Sequence, residues 1–167
     1  MGVHEEEFNN SIISFGGADK RLESLLEMDD RAFFKDFAHS PSKVSATTNA
    51  LKNQFKNRKL IALLELHTFS SLNEDFIVEY RNSLKQADVR ILFYDPKAVA
   101  SKGLKNISVQ KIKDSFNDDN VIVISDSNHL KDYLFELPFL NTNLLFMSSG
   151  NYASLDLDVI IDFIKNN

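Results

Sequence analysis

Three short and almost uninterrupted apolar runs constrain the fold of this chain more than any other feature of its sequence. They read LIALLE at residues 60–65, VRILFY at 89–94 and VIVISD at 121–126. A strand that is buried on one face alternates apolar and polar side chains, whereas a strand buried on both faces is apolar nearly throughout. The three runs therefore predict strands of a parallel sheet whose two faces are both covered.

Amphipathic segments lie between these runs, so that predicted strands and helices alternate along the chain. The strands are predicted at residues 33–35, 60–65, 89–94, 121–125 and 143–147. The helices are predicted at residues 5–15, 41–55, 73–86, 109–116, 127–137 and 155–165. This alternation predicts an α/β fold, namely a Rossmann-like, open and mostly parallel sheet of about five to six strands with helices on both faces.

Composition and charge exclude several classes of protein. The 167 residues suffice for one compact domain, and 43% of them are hydrophobic, which is enough for a substantial core. The formal net charge of −5 argues against nucleic acid or an anionic membrane as a partner. The chain has no cysteine, no apolar run near the roughly 20 residues that span a bilayer, and no signal peptide. We therefore expect a cytoplasmic protein.

Polar residues follow the predicted strands at the points where the strands end. In open α/β sheets the ligand binds beyond the carboxyl ends of the strands, so these residues are the candidates for a binding site. An acid, two imidazoles and several hydroxyls at one edge of the sheet suit a polar ligand. The candidates are Asp36 and His39 after the first strand, Glu65, His67, Thr68 and Ser70 after the second, and Ser149, Gly150 and Asn151 after the last.

Each of these residue types also has a purely structural interpretation. Ser40-Pro41, the Ser71-x-x-Glu74 pattern and Ser127 are all typical of helix N-termini. A single acid such as Asp36 at a strand end is often structural or merely solvated. Taken alone, these residues leave both interpretations open.

Several familiar catalytic motifs are absent from the sequence. It has no G-x-x-x-x-G-K-[ST] phosphate loop, no G-x-G-x-x-G, no H-E-x-x-H and no G-x-S-x-G. A response-regulator receiver needs a phosphoacceptor aspartate at the end of an inner strand, but the run at 60–65 ends in Glu-Leu-His instead. No metal site is predicted within this chain.

Four stretches of the sequence form a recognisable series. They read GGADKRLESLLE at 16–27, KDFAHSP at 35–41, LIALLELHTFSS at 60–71 and LLFMSSGNYASL at 144–155. In order and spacing they resemble the C-terminal domain of the Mur ligases, the ATP-dependent amide ligases of peptidoglycan assembly. The resemblance implies a domain at residues 16–167, preceded by a helix or hinge region at residues 1–15.

The resemblance also implies a reaction. In these ligases ATP phosphorylates the carboxylate of a UDP-sugar substrate, and the amine of an incoming amino acid or peptide attacks the acyl phosphate. A central domain carries the phosphate loop and most ligands of Mg²⁺, while an N-terminal domain binds the UDP-sugar. We therefore expect ATP and Mg²⁺ as cofactors of the full-length enzyme, those two domains as partners, and no activity from this chain alone.

Individual residues take their expected roles from the same resemblance. Arg21 matches an arginine that contacts ATP, and Asp36 matches an acid at the nucleotide, so that both are expected to be catalytic and to bind the cofactor. His39 is expected to contact the nucleotide as well. A pocket for the incoming amine is expected from Glu65, His67, Thr68, Ser70, Ser149, Gly150 and Asn151.

Two members of the family are nearest in these motifs. One adds L-alanine to UDP-N-acetylmuramate, and the other adds a recovered murein tripeptide. The chain departs from the family pattern where Ser40 replaces the second histidine of Asp-x-x-His-His-Pro, and where no arginine follows Ser70. The identity of the amine therefore stays open. The alternative hypothesis is a stand-alone, non-catalytic Rossmann-like module that binds or senses a small ligand.

Overall fold

The computed structural model describes residues 22–167, which form one open sheet of six strands. The strands follow the order β1-β2-β6-β3-β4-β5 across the sheet, and only β1 runs antiparallel to its neighbour. This arrangement confirms the predicted Rossmann-like α/β fold. The strands are β1 Glu23–Glu27, β2 Arg31–Asp36, β3 Lys59–Glu65, β4 Val89–Phe93, β5 Ile122–Ile124 and β6 Thr142–Met147.

Five α-helices and one short 3-10 helix connect or follow these strands in the described part of the chain. The 3-10 helix lies at Ile77–Tyr80, between β3 and β4. The predicted helix at residues 5–15 lies outside the described residues. The α-helices are α1 Pro41–Gln54, α2 Pro96–Ser101, α3 Val109–Phe116, α4 Ser127–Glu136 and α5 Leu157–Asn166.

Apolar side chains pack against both faces of the sheet. Along β3, Ala62 and Leu64 point into one core together with side chains of α1 and α3. Ile61 and Leu63 point into the other core, which α4 and α5 cover. Side chains alternate between the faces of a strand, so a strand between two cores must be apolar at every position. This packing explains the unbroken apolar runs in the sequence.

The predicted helix at residues 73–86 is wrong. Apart from the 3-10 helix, this segment is a series of turns. The side chain of Asn73 accepts hydrogen bonds from the backbone nitrogens of Asp75 and Phe76, and the backbone of Asn82 adopts φ +60°. Side-chain acceptors of this kind compete with the helical hydrogen-bond pattern, and a left-handed residue ends it.

Strand β1 and helix α2 were not predicted. Strand β1 is a short edge strand of sequence ESLLE, in which Glu23, Ser24 and Glu27 are exposed. A bulge between Ser24 and Leu26 also interrupts its pairing with β2. An edge strand with few buried positions lacks the apolar pattern on which the prediction of the central strands depends.

The predicted helix caps have mixed outcomes. Ser40 occupies the N-cap position of α1, but its side chain makes no capping hydrogen bond. The cap of α4 is Asp126 rather than Ser127, because the Asp126 carboxylate accepts from the backbone nitrogen of His129. The hydroxyl of Ser71 donates to the Thr68 carbonyl oxygen, so the Ser71-x-x-Glu74 capping box is wrong.

Candidate functional site

Three parallel strands end side by side near the middle of the sheet. In the register of the sheet, Met147 at the end of β6 pairs with Asp36 of β2 and with Leu64 of β3. The next residue, Ser148, donates its backbone N–H to the Asp36 carbonyl oxygen at 3.0 Å. The loops that follow β2, β3 and β6 therefore start at a common edge, which we call the carboxyl edge.

Glu65 lies buried at the carboxyl edge, and the residue as a whole is 3% exposed. One of its carboxylate oxygens accepts a hydrogen bond from the Ser148 hydroxyl, and the other accepts one from the backbone nitrogen of Tyr152 at 3.1 Å. The Ser148 hydroxyl oxygen in turn accepts from the Gly150 nitrogen at 2.6 Å. A buried carboxylate is tolerated when it is hydrogen-bonded in this way, and the cluster joins β3 to the loop after β6.

His67 lies in front of this carboxylate. Its Nδ1 is 3.7 Å from Glu65 Oε1, and its side chain is 35% exposed, against 2% for that of Glu65. The imidazole is therefore the part of the pair that solvent or a substrate can reach. Glu65, which was predicted to bind substrate itself, is placed to support His67 from behind.

Gly150 brings the loop after β6 against this pair. A Cβ atom at this position would lie 2.6 Å from Glu65 Oε2 and 2.8 Å from His67 Cγ. These distances are shorter than van der Waals contact, so the approach of the loop requires a glycine. The structure thus gives Gly150 a steric role at the site predicted for it.

The loop after β6 adopts an unusual backbone conformation. Tyr152, Ala153 and Ser154 have φ values of +52°, +53° and +65°. Three successive non-glycine residues in the left-handed region are costly, and such strain persists only where surrounding contacts impose it. Here the turn delivers the Tyr152 backbone nitrogen to Glu65. Burial and the nearby Glu65 charge raise the pKa of the Tyr152 phenol well above its usual value.

Four other polar residues were predicted for the amine pocket. Thr68 and Ser70 follow His67 in the sequence, and Ser149 and Asn151 lie on the loop after β6. Thr68 Oγ1 is 3.0 Å from the hydroxyls of both Ser70 and Ser71, in a closed turn whose Ser70 side is exposed. On the loop after β6, Ser149 is half-buried and Asn151 is exposed. The Asn151 side-chain oxygen accepts a hydrogen bond from the Ser154 nitrogen at 3.3 Å.

Asp36 is the last residue of β2, and His39 lies on the loop between β2 and α1. The two Asp36 carboxylate oxygens accept from the Ala38 nitrogen at 3.0 Å and from the Thr47 hydroxyl at 2.7 Å. His39 Nδ1 is 2.8 Å from the Phe37 carbonyl oxygen. A carbonyl can only accept, so Nδ1 carries the proton, and Nε2 is left for a ligand.

The buried Tyr80 is hydrogen-bonded to the loop between β2 and α1. Tyr80 is 1% exposed, and its hydroxyl donates to the His39 carbonyl oxygen. Burial raises the pKa of Tyr80 to about 12. No sequence pattern singled out Tyr80, which lies 41 residues beyond His39 in the chain, or Thr47, which contacts Asp36 from the following helix α1. Ser148, in contrast, directly follows a predicted strand and could have been included.

One residue of the predicted site falls in the part of the chain that the structure does not describe. Arg21 lies outside the described residues. Within residues 22–167 no group of three or more histidine, aspartate or glutamate side chains is arranged to hold a metal ion. In the same part of the chain no helix has the length and apolar character needed to cross a bilayer.

Sequence comparison relates the chain to ligases. It is 24% identical to the UDP-N-acetylmuramate–L-alanine ligase of Fusobacterium nucleatum, over 93% of this chain and 34% of that ligase. It is 33% identical to the ligase of the same name from Caldicellulosiruptor saccharolyticus, over 65% of this chain and 23% of that ligase. The chain thus spans about a third of the length of such relatives or less. No protein-family model matches the chain.

Solved structures share the fold. A domain assigned to a UDP-N-acetylmuramate:L-alanyl-γ-D-glutamyl-meso-diaminopimelate ligase of Haemophilus ducreyi superposes with a TM-score of 0.59 at 22% identity, covering 86% of this chain and 99% of that one. A murein peptide ligase of Psychrobacter arcticus gives a TM-score of 0.69 at 17% identity over 95% of this chain and 32% of that one. A Yersinia pestis folylpolyglutamate synthase/dihydrofolate synthase, complexed with AMPPNP and a manganese ion, gives 0.55 at 14% identity over 96% and 35%.

Both kinds of comparison match the chain to part of a longer ligase. The sequence relatives are UDP-N-acetylmuramate–L-alanine ligases, and the shared fold covers about a third of the murein peptide ligase. The homologues over most of the chain are therefore Mur ligases, and the chain matches about a third of their length.

Proposed function

We propose that this chain presents the amine nucleophile in an ATP-dependent ligase that joins an amino acid or murein tripeptide to UDP-N-acetylmuramate. The observation that carries the proposal is the meeting of three loops at the carboxyl edge. These are the loops whose sequences resemble the ligase motifs, and they lie far apart in the chain. Ser148 links them, because its backbone bonds to Asp36 and its hydroxyl bonds to Glu65.

The proposed reaction needs ATP and a divalent cation, for which Mg²⁺ is the expected ion. ATP activates the UDP-sugar carboxylate as an acyl phosphate, and the amine displaces phosphate to form the amide bond. As the resemblance to the Mur ligases implies, the cation ligands are expected mostly from the rest of the enzyme. What this domain supplies is positioning of the amine and exclusion of water from the acyl phosphate.

Asp36, His39 and Arg21 form the proposed nucleotide side of the domain. Asp36 is partly exposed, and each of its oxygens already accepts one protein hydrogen bond. A carboxylate offers about four acceptor positions, so a ribose hydroxyl can still donate to it. Arg21 is proposed on sequence resemblance alone, as a cation for the phosphoryl group in flight.

His67 with its surroundings forms the proposed amine side. The half-exposed imidazole, backed by the buried Glu65 carboxylate, is proposed to contact the incoming substrate. Thr68, Ser70, Ser149 and Asn151 are proposed to add hydrogen-bonding groups to this side, and Gly150 lets the loop after β6 pack against Glu65 and His67. The absence of an arginine after Ser70 leaves both L-alanine and the tripeptide as candidate amines.

The proposed partners are a central ATP-binding domain and an N-terminal UDP-sugar-binding domain of the same enzyme. The relatives are much longer than this chain, which supports this assignment. An ATP-dependent reaction also favours the cytoplasm as the location. Because the sequence contains no phosphate loop, the 167-residue chain is expected to show no ATP turnover by itself.

The experiment is an ADP-release assay on the protein encoded by the complete gene that contains this sequence. We expect ADP release that requires both UDP-N-acetylmuramate and an amine, and the better of L-alanine and murein tripeptide identifies the substrate. The isolated chain serves as the control without activity. Turnover by the isolated chain, or a complete protein that releases no ADP with either amine, would contradict the proposal. A gene that encodes only this chain would favour the small-ligand-binding module instead.

A further inference from the structure

A cavity lies at the other edge of the sheet, where strands β4 and β5 begin. Its volume is about 270 Å³. Arg90, the second residue of β4, and Val121, which precedes β5, mark its position. The residues of the carboxyl edge follow the opposite ends of the strands, so this cavity is separate from the proposed ligase site. The cavity is lined by residues that include Asn82, Lys85, Arg90, Phe116, Asn117 and Asp118.

Arg90 holds unused hydrogen-bond donors in this cavity. Its Nε lies 2.9 Å from Asp118 Oδ2, in an ion pair that is too poorly aligned for a hydrogen bond. No atom of residues 22–167 hydrogen-bonds its two Nη groups, although the side chain is only 24% exposed. The other Asp118 oxygen accepts from the Asn120 nitrogen at 3.0 Å. The carboxylate is thus engaged on both sides, while the guanidinium keeps its terminal N–H groups.

The charges around the cavity favour an anion. Lys85 is exposed and forms no ion pair within the described residues. Lys85 and Arg90 together carry two positive charges, against the one negative charge of Asp118. The planar fork of an arginine matches the oxygens of a carboxylate or phosphate group, and a lysine adds a mobile second cation.

The wall of the cavity is built in advance by two left-handed asparagines. Asn82 and Asn117 have φ values of +60° and +55°. The Asn117 side-chain amide donates to Asn82 Oδ1 at 3.1 Å, and the Asn82 backbone nitrogen donates to the Phe116 carbonyl oxygen at 3.1 Å. These bonds tie the turn after the 3-10 helix to the end of α3. A site that is already formed loses little conformational freedom when a ligand binds.

We propose that this cavity binds a small organic anion, a carboxylate or phosphate carried on a short apolar body. The anionic group meets the Nη groups of Arg90 and the ammonium of Lys85. The apolar body meets the small exposed parts of Leu84 and Phe116, which line the cavity but are only 2% and 3% exposed, so most of the wall around the ligand is polar. The volume fits a ligand below the size of typical drug molecules, whose pockets start at about 300 Å³. The proposal is independent of the ligase function.

The test is a titration of the 167-residue chain, labelled with ¹⁵N and ¹³C, with phenyl phosphate, benzoate and neutral benzamide. We expect saturable shifts of the Asn82, Asn117 and Val121 amides with at least one of the two anions. The Phe116 ring stacks on Tyr80 at 5.4 Å, so the ring signals of both should shift as well. Benzamide, which has the same ring without the charge, should bind about tenfold more weakly. The ratio of the dissociation constants of phenyl phosphate and benzoate shows whether the cavity prefers a phosphate or a carboxylate.

Two variants locate the site. Lys85→Gln should weaken binding of the preferred anion about two- to fivefold without affecting the fold, because Lys85 is exposed. Arg90→Gln should weaken it about tenfold or more. Lys105→Gln, at an exposed lysine outside the cavity, is the matched control and should change nothing. No saturable binding of either anion, equal binding of benzamide, or equal loss in Lys105→Gln would overturn the proposal.

Discussion

The loop after β6 and the loop after β2 both carry polar residues to the carboxyl edge, but they hold them differently. At the β6 loop, Glu65 is buried and depends on Ser148 and Tyr152 for its hydrogen bonds. At the end of β2 and in the loop after it, Asp36 and His39 are partly exposed; the side chain of Asp36 bonds to Ala38 and Thr47 and that of His39 to Phe37, all within 11 residues in the chain. The first region is a buried, hydrogen-bonded polar cluster. The second is a partly exposed loop to which the buried Tyr80 is hydrogen-bonded.

The difference separates residues that hold the site from residues that act in it. A buried, mutually bonded group cannot be altered without loss of stability, because its partners are left without hydrogen bonds. A partly exposed group with local partners can be altered at little cost to the fold. Predictions for the β6 loop therefore concern stability, and predictions for the β2 loop concern function.

Glu65→Ala should have the largest effect on stability. It leaves the Ser148 hydroxyl and the Tyr152 nitrogen without an acceptor and opens a small cavity. We expect a loss of about 3 kcal/mol in the free energy of unfolding, measured by urea denaturation of the chain. Glu79→Ala, at an exposed glutamate, is the control and should stay within about 0.5 kcal/mol of the parent. A loss below about 1 kcal/mol for Glu65→Ala would show that the cluster is not a core.

Gly150→Ala should follow, with a loss of about 2 kcal/mol. The new methyl group overlaps Glu65 Oε2 and the His67 ring, and the hydrogen bonds of Glu65 prevent an easy retreat. The imidazole signals of His67 should shift in the NMR spectrum. Gly103→Ala is the matched control, because Gly103 has φ +68° with nothing within 4 Å of its Cβ position. That variant strains the backbone but should leave the His67 signals unchanged, and shifts of equal size in both variants would refute the steric role.

Tyr80→Phe tests the support under the β2 loop. Losing the bond to the His39 carbonyl should cost about 1 kcal/mol at neutral pH. The folded-state pKa of about 12 lies above the ordinary value of 10.0, so the folded chain favours the neutral phenol. The stability linked to this group is present below pH 10 and is lost as the pH rises towards 12.

The alkaline part of this prediction is measured by thermal unfolding between pH 8 and pH 12. Tyr80→Phe should lose less stability over this range than the parent. Burial also raises the pKa of Tyr152 and Tyr133, so part of the alkaline loss should remain. Identical pH profiles for variant and parent would mean that Tyr80 is not the buried tether.

Asp36→Ala should have a small effect on stability and a large one on function. Thr47→Val is its matched partner, because it removes the same 2.7 Å hydrogen bond but keeps the carboxylate. Both should destabilise the chain by about 1 kcal/mol. In the complete enzyme, Asp36→Ala should lower turnover at least about tenfold, which corresponds to about 1.4 kcal/mol, while Thr47→Val stays close to the parent. Equal turnover in the two variants would assign Asp36 a structural role only.

The central strands were predictable because burial on both faces leaves a local mark on the sequence. Strand β3 is buried at six of its seven positions and reads KLIALLE. Strand β1 and the turns at residues 73–86 left no such mark. In the turns, Asn73 and Asn82 decide the backbone through side-chain acceptance and a left-handed conformation, which an apolar pattern does not reveal.

The sequence pointed to residues of the candidate site, but it did not show which of them are buried and which are exposed. The rule that ligands bind at the carboxyl ends of strands selected Asp36, His67 and Gly150 from the sequence. It could not tell that Glu65 is buried behind His67, because depth is set by the facing loop after β6. Tyr80 supports the site through a contact 41 residues away in the chain, which no local pattern signals.

The proposed presentation of the amine by this domain is tested most directly by the variant His67→Ala in the complete protein, through its KM for the amine substrate. His67 is the more exposed member of the pair, and Glu65 is the buried member that bonds to the loop after β6. Removal of the His67 side chain should therefore leave the free energy of unfolding nearly unchanged and weaken binding of the amine. We predict a rise in this KM of about tenfold, with the KM for ATP and the unfolding free energy of the chain nearly unchanged. An unchanged KM for the amine, or an equal rise in the KM for ATP, would contradict the claim that this domain presents the nucleophile.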